Sequence, residues 1–293
     1  MGPDNLIDMT KEYLSDARYT IKLDDLVGQQ IREILLQTSE DNFALDIAWS
    51  IEEFTHRLEE YQRILDDLLR VSSLVAFWGK RDHLPILSRA LERLTDPLVD
   101  PEAEKGVWNV LRWYPVLLLL YSTGISALAR KNYDNLALIL LTSSSKHSYS
   151  VPAKLVLATQ KLVLQDYFKT LPDREHELFP RSEYLFELLR PILSDLLCLG
   201  LDYENCFDRF EVLRALVYAD LAGRKGGFWF PLGRFAYKVA HMDISLLKEI
   251  LDEADREKDS WGPIKAGLFS GDYLRFKALG DGLIEFINKS SLF

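Results

Sequence analysis

Residues 50–69 read Ser50-Ile51-Glu52-Glu53-Phe54-Thr55-His56-Arg57-Leu58-Glu59-Glu60-Tyr61-Gln62-Arg63-Ile64-Leu65-Asp66-Asp67-Leu68-Leu69. Ile51, Phe54, Leu58, Tyr61, Leu65 and Leu68 recur at steps of three and four, which puts all six on one narrow stripe of an α-helix. Glu52, Glu59, Glu60, Arg63, Asp66 and Asp67 fall on the opposite face. Ser50 and Glu53 stand at capping-box spacing, in which each side chain bonds the other residue's backbone N–H. The stretch therefore predicts a long amphipathic helix with a coiled-coil-like seam. The seam (Ile51, Phe54, Leu58, Tyr61 and Leu65) either packs on the rest of the chain or is offered to a partner helix. It enters the candidate partner-binding set on the second reading.

The same period extends outward in both directions. A helix ending near Phe77-Trp78-Gly79, a Lys80-Arg81-Asp82 loop and a second helix to Leu94, stopped by Thr95-Asp96-Pro97, form one expected hairpin. A second runs through an apolar helix to Arg130-Lys131, turns at Asn132-Tyr133-Asp134 and continues from Leu136 to Leu141. Gly79 is expected to supply a left-handed stop in the first, and an Asn or Asp in the second. Gly124 and Asn132-Tyr133-Asp134 give the second hairpin a local likeness to a tetratricopeptide unit. The hairpins lie about 50 residues apart, however, where such repeats need about 34. Further helices are expected at Ala153–Lys169, Ser182–Leu199, Tyr203–Leu221, Ser245–Glu257 and Asp272–Asn288, and strand patterns are nearly absent. The fold class is all-α: stacked helical hairpins, irregularly tetratricopeptide-like or a bundle, of about 10–13 helices. Residues 1–293 read as one continuous helical body, with a candidate sub-boundary near 142–152.

Trp113 to Ala129 holds 17 residues without a charge, at the lower limit for spanning a bilayer. Pro115, Ser122, Thr123, Gly124 and Ser126 interrupt it, which favours a helix buried at the centre of a large helical protein. The reading is of a chain with no membrane partner.

Composition narrows the function classes. With 48% hydrophobic and 12% aromatic residues, the 293-residue chain is a folded globular protein. Thirty-five basic side chains against 45 acidic ones give a net charge of −10, which argues against bulk attraction to nucleic acid or anionic lipid. The two cysteines, Cys198 and Cys206, are too few for a disulfide framework and are expected to act as small core hydrophobes. The N-terminal residues lack a signal peptide's basic start and apolar core, so the expected location is cytoplasmic. Phosphate-binding glycine motifs and the G-x-S-x-G elbow are missing. His176-Glu177 begins a zinc-protease pattern, but no second His follows and Pro180 interrupts the turn. No cofactor or metal is called for.

The most unusual composition lies at Gly223–Lys238, GRKGGFWFPLGRFAYK, with four cations, no anions, four glycines and five aromatics. Three readings stay open. Phe228, Trp229 and Phe230 plug the core; or Arg224, Lys225, Phe228, Trp229, Phe230 and Arg234 form a protein-binding hot spot, where Trp and Arg concentrate binding energy; or the cations and rings bind single-stranded nucleic acid. Lys80-Arg81 is a lesser basic spot, read as a solvated turn.

Arg234 and His241, six residues between them, also match the spacing of helical HEPN ribonucleases. There the His acts as acid or base on a ribose hydroxyl and the Arg stabilises phosphate charge. A match this loose arises easily by chance, and Phe235 stands where that motif usually carries a polar residue. The pair is kept as the catalytic alternative.

A wider resemblance rests on Trp49-Ser50-Ile51-Glu52-Glu53-Phe54, Trp78-Gly79, Tyr114-Pro115 through Gly124, Phe207-Asp208-Arg209-Phe210-Glu211, Pro231-Leu232-Gly233-Arg234-Phe235 and Ala266-Gly267-Leu268-Phe269. Over roughly residues 45–293 the chain resembles helical C-terminal regions of bacterial multidomain proteins. In those an N-terminal signalling, NAD-cleaving or NTPase domain precedes the helical part, and some belong to anti-phage defence systems. The resemblance implies an accessory, sensing or oligomerising role beside a catalytic domain, and carries over no catalytic residue. The leading expectation is thus a non-enzymatic interaction or regulatory module whose partner is another protein, a neighbouring domain of a longer chain, or a second copy.

Overall fold

The computed structural model describes residues 3–98, 106–145, 153–160, 165–223, 228–241 and 245–290. In chain order the α-helices are α1 (Pro3–Ser15), α2 (Thr20–Gln37), α3 (Ile51–Trp78), α4 (Leu84–Leu94), α5 (Val107–Leu111), α6 (Tyr114–Ala129), α7 (Tyr133–Leu141), α8 (Leu155–Gln160), α9 (Gln165–Phe168), α10 (Pro180–Leu197), α11 (Asp202–Ala222), α12 (Arg234–Ala240), α13 (Ser245–Glu257), α14 (Gly262–Lys265) and α15 (Tyr273–Lys289). Eleven of these are seven residues or longer. Among the described residues the one extended pairing is an isolated bridge between Ser143 and Lys154. The fold is all-α, as the periodicity requires.

The spine is the pair α3 and α6, the most extensively packed helices of the chain. Residues 114–128 of α6 are all buried, which explains an apolar run with no polar face. Its serine and threonine hydroxyls are satisfied within the helix: Thr123 Oγ1 donates to the Leu119 carbonyl at 2.6 Å and Ser126 Oγ to that of Ser122 at 2.6 Å. Among the described residues no helix is long and apolar enough to cross a membrane. Helices α1 and α2 pack against α3, α10 and α11 pack against α6, and α13 and α15 pack against α11.

Ser50 caps α3 as its spacing predicts, accepting from the Glu53 N–H at 3.2 Å. The reciprocal half differs, because the Glu53 carboxylate instead takes Arg57 Nε at 2.6 Å. Both hairpins form at the expected turns, but their stops work otherwise. Gly79 is extended (φ −61°, ψ 139°), not left-handed. It is small because a β-carbon there would lie 2.2 Å from the Val75 carbonyl oxygen. In the second turn the left-handed residue is Lys131 (φ 56°), which frees the amides of Asn132 and Asn135 to reach across to the first hairpin.

Backbone hydrogen bonds bracket the candidate sub-boundary at 142–152. Ser144 N–H donates to the Ala153 carbonyl at 2.7 Å, and Leu155 N–H to that of Thr142 at 2.9 Å. The cysteine expectation needs correcting. Cys206 is half-buried, and burial pushes its thiol up to about 11. Cys198 is exposed, because it is the left-handed residue (φ 54°) that ends α10.

Candidate functional site

The α3 seam is not a partner surface. Phe54, Leu58, Tyr61, Leu65 and Leu68 are buried in the chain's own core, and Ile51 is half-buried against it. Tyr61 stacks on Phe43 with ring centroids 4.7 Å apart, and Phe54 meets Phe168 edge-on at 5.8 Å. The stripe is used up internally because α1, α2, α6 and α10 all pack on this one long helix. Arg57, which the pattern places beside the seam, is buried too. Its guanidinium lies 4.3 Å over the Trp108 ring and donates to the Ala44 carbonyl at 2.7 Å.

The second candidate segment divides between core and surface. Arg224 and Lys225 lie outside the described residues. Phe228, Trp229 and Phe230 precede α12 in non-helical backbone. Phe230 is fully buried and meets Phe286 of α15 at 5.6 Å. Phe228 is half-buried beside it at 5.9 Å, over Gly282 of α15. Trp229 points the other way. It is 51% exposed and stands edge-to-face with Tyr218 of α11 at 5.3 Å. The core-plug reading thus describes Phe230 and half of Phe228, whereas Trp229 is surface.

Past these rings, the start of α12 is held by an ion-pair cluster. Arg234 Nε donates to Glu183 at 3.0 Å, one terminal nitrogen to Asp208 at 3.1 Å and the other to Glu204 at 3.1 Å. The same guanidinium stacks 3.7 Å from the Phe186 ring centroid. Lys238, one turn along, donates to both Glu204 and Asp208. Burial raises the Asp208 carboxyl, and the charges of Arg234 and Lys238 oppose that. The hydrogen bond from Lys238 holds Glu204 below its ordinary range.

Deeper in, the Arg234 backbone N–H donates to Ser182 Oγ at 3.0 Å. Ser182 Oγ donates to Glu211 at 2.7 Å, and Tyr121 Oη donates to the other Glu211 oxygen at 2.9 Å. Burial raises the Glu211 carboxyl. Gly233 makes room for it, since a β-carbon there would lie 2.2 Å from a Glu211 oxygen. Buried carboxylates thus fix both ends of the stretch from Gly233 to Lys238.

The chemistry of this cluster is unlike a phosphate site. Arg234 and Lys238 face three carboxylates, and the Arg234 side chain is only 11% exposed. His241 is exposed at the end of α12, its ring stacked 4.0 Å from that of Tyr237 and its Nδ1 2.9 Å from the Tyr237 carbonyl oxygen. An RNA phosphate approaching Arg234 would have to displace carboxylates from it. Among the described residues no three His, Cys, Asp or Glu side chains are placed to hold a metal ion.

One surface escaped the sequence reading. Trp78, at the end of α3, is 48% exposed with the Arg130 guanidinium 4.6 Å over its ring. These residues are 52 apart in sequence and each read as an ordinary turn flank. The available signal was that both turns carry adjacent cations.

Comparison with known protein families, with curated proteins and with solved structures finds no match to this chain. The functional reading therefore rests on the residues themselves.

Proposed function

We propose that the chain is a helical protein-interaction module that binds a protein partner, or a neighbouring domain, through the surface around Trp229. The observation that carries this is a half-exposed tryptophan, Trp229, next in sequence to a fully buried anchor, Phe230. A large ring with only two side-chain torsions loses little conformational freedom on binding, the property that makes Trp a frequent hot spot. The resemblance to helical parts of bacterial defence proteins fits such an accessory, sensing or oligomerising role beside a catalytic domain.

The test is affinity purification from the source cells with the wild-type chain and with Trp229→Ala. A protein retained in stoichiometric amount by the first and lost by the second, with both giving the same far-UV circular dichroism, supports the reading. Equal retention by the two rejects the Trp229 surface. Single-stranded RNA cleaved by the wild type and left intact by His241→Ala would establish the ribonuclease instead.

A further inference from the structure

The turns of the two hairpins are fastened to one another. Asn132 Nδ2 donates to the Gly79 carbonyl at 2.9 Å, and Asn135 Nδ2 to the Ala76 carbonyl at 2.8 Å. Both amides serve the last turn of α3, where helix carbonyls lack partners of their own. This staple brings Lys80 and Arg81 of one turn beside Arg130 and Lys131 of the other, and all four are exposed. Only Asp82 and Asp134 oppose them within the two turns. Among the described residues none of the four cations is in an ion pair, whereas Arg57, Arg174, Arg209 and Arg234 are each bound to carboxylates. An acidic chain of net charge −10 thus carries an unneutralised basic patch around a half-exposed Trp78.

The patch opens onto a groove. Leu84, Leu138 and Leu141 of α4 and α7 line it together with Arg81, Glu92 and Asp134, so that its wall is part apolar and part polar, in a cavity of about 780 Å³. That volume holds several apolar side chains.

From this arrangement we infer that the stapled hairpin ends form a second docking surface, for a protein segment that is acidic at one end and apolar along the adjoining turn. Its carboxylates meet Lys80, Arg81, Arg130 and Lys131, an aromatic or aliphatic side chain meets Trp78, and the apolar face enters the groove, the helix-in-groove mode of recognition. Charge complementarity selects the occupant. A nucleic acid would carry its phosphates past Asp134 and Glu92 on the groove wall and against the chain's overall charge. A peptide changes from charged to apolar along its length, as the surface does. The inference shares the protein-binding reading above but uses other residues, so each can fail alone.

The probe is a fluorescently labelled random copolymer of glutamate and tyrosine, titrated with the full chain and read by anisotropy. The wild type is expected to bind, with affinity falling as salt rises. The variant Lys80→Glu/Arg81→Glu/Arg130→Glu/Lys131→Glu is expected to bind at least about tenfold more weakly, because reversing the patch sets like charges against the probe. Leu138→Ser, which alters the groove and no charge, should also weaken binding, and it serves as the arbiter if the fourfold variant does not fold. Trp229→Ala should bind as the wild type does. No binding by the wild type overturns the proposal, as does equal binding by the variants. Loss on Trp229→Ala alone overturns it while leaving the first surface intact. Unlabelled single-stranded RNA that displaces the copolymer equally well per charge assigns the patch to nucleic acid and overturns it too.

Discussion

Gly124 of α6 lies against the ring of Phe210 of α11: a β-carbon at position 124 would stand 2.1 Å from Phe210 Cε2 and 2.6 Å from Cζ. The glycine is where the spine of the hairpin layer meets the layer that carries the candidate site. Tyr121, one turn earlier, crosses the same interface to reach Glu211.

Gly124→Ala forces the two helices apart or Phe210 off its rotamer. Overpacking of this kind costs roughly 1–3 kcal/mol, more than the gain in helix propensity of about 1 kcal/mol from replacing glycine. Urea unfolding should show net destabilisation, and the double variant Gly124→Ala/Phe210→Leu should recover part of it. A Gly124→Ala protein more stable than the wild type would mean that the two helices do not pack this closely.

Trp229 and Phe230 are adjacent in sequence and opposite in role. Phe230→Ala removes a fully buried ring and should cost about 3–5 kcal/mol. Trp229→Ala removes a half-exposed ring and should cost much less, its edge-to-face contact with Tyr218 among the losses. Thermal unfolding of the two variants side by side checks the division. Equal losses would place Trp229 in the core and withdraw it as a binding residue.

Arg234→Ala leaves Asp208 buried with Lys238 as its one remaining cation. The expected cost is on the order of 2 kcal/mol, less than the roughly 3–5 kcal/mol for a buried charge with no partner left. Arg234→Lys keeps the charge but cannot reach Glu183, Asp208 and Glu204 together, so it should fall between wild type and alanine. Denaturant midpoints give the ranking. An alanine variant as stable as the wild type would show that the cluster does not hold the segment.

His83 introduces a pH dependence into the first hairpin turn. Its buried ring accepts the Lys80 N–H at Nδ1, 3.1 Å away, a bond that only the neutral ring makes. Burial lowers its pKa below the ordinary 6.5, aided by the Lys80 charge and opposed by Asp82. With the folded value below the unfolded one, the unfolded chain takes up its proton first as pH falls. The contribution is therefore complete above about pH 6.5 and is lost as pH drops through the lowered native value. His83→Gln should flatten that part of the stability–pH curve relative to wild type. Identical curves between pH 7 and 5 would refute this role.

Much of the fold was legible because periodicity reports which face of a helix is buried. The ends of α3, α4, α6 and α7 fall within a few residues of the expected places, where Ser50, Gly79, Thr95 and Asn132 mark them. The candidate site was legible in part. The composition of residues 223–238 drew attention to Trp229 and Arg234, but not to their opposite fates. The reason is physical: a cation's availability depends on which carboxylates fold against it, and Glu183, Glu204 and Asp208 come from two other helices. The left-handed residue of the second turn, Lys131, was equally hidden, since a lysine carries no local signal for that backbone as glycine or asparagine does.

By itself the sequence determined the helical class, the positions of the two hairpins and the burial of residues 113–128, since all three follow from local spacing and from the cost of exposing apolar surface. Only the tertiary structure decided that the α3 seam is core, that Arg234 is neutralised, and that Trp78, Arg130 and their neighbouring cations share one surface. Those outcomes depend on which segments, tens of residues apart, meet in space, and the periodicity of any one segment contains no term for its neighbours.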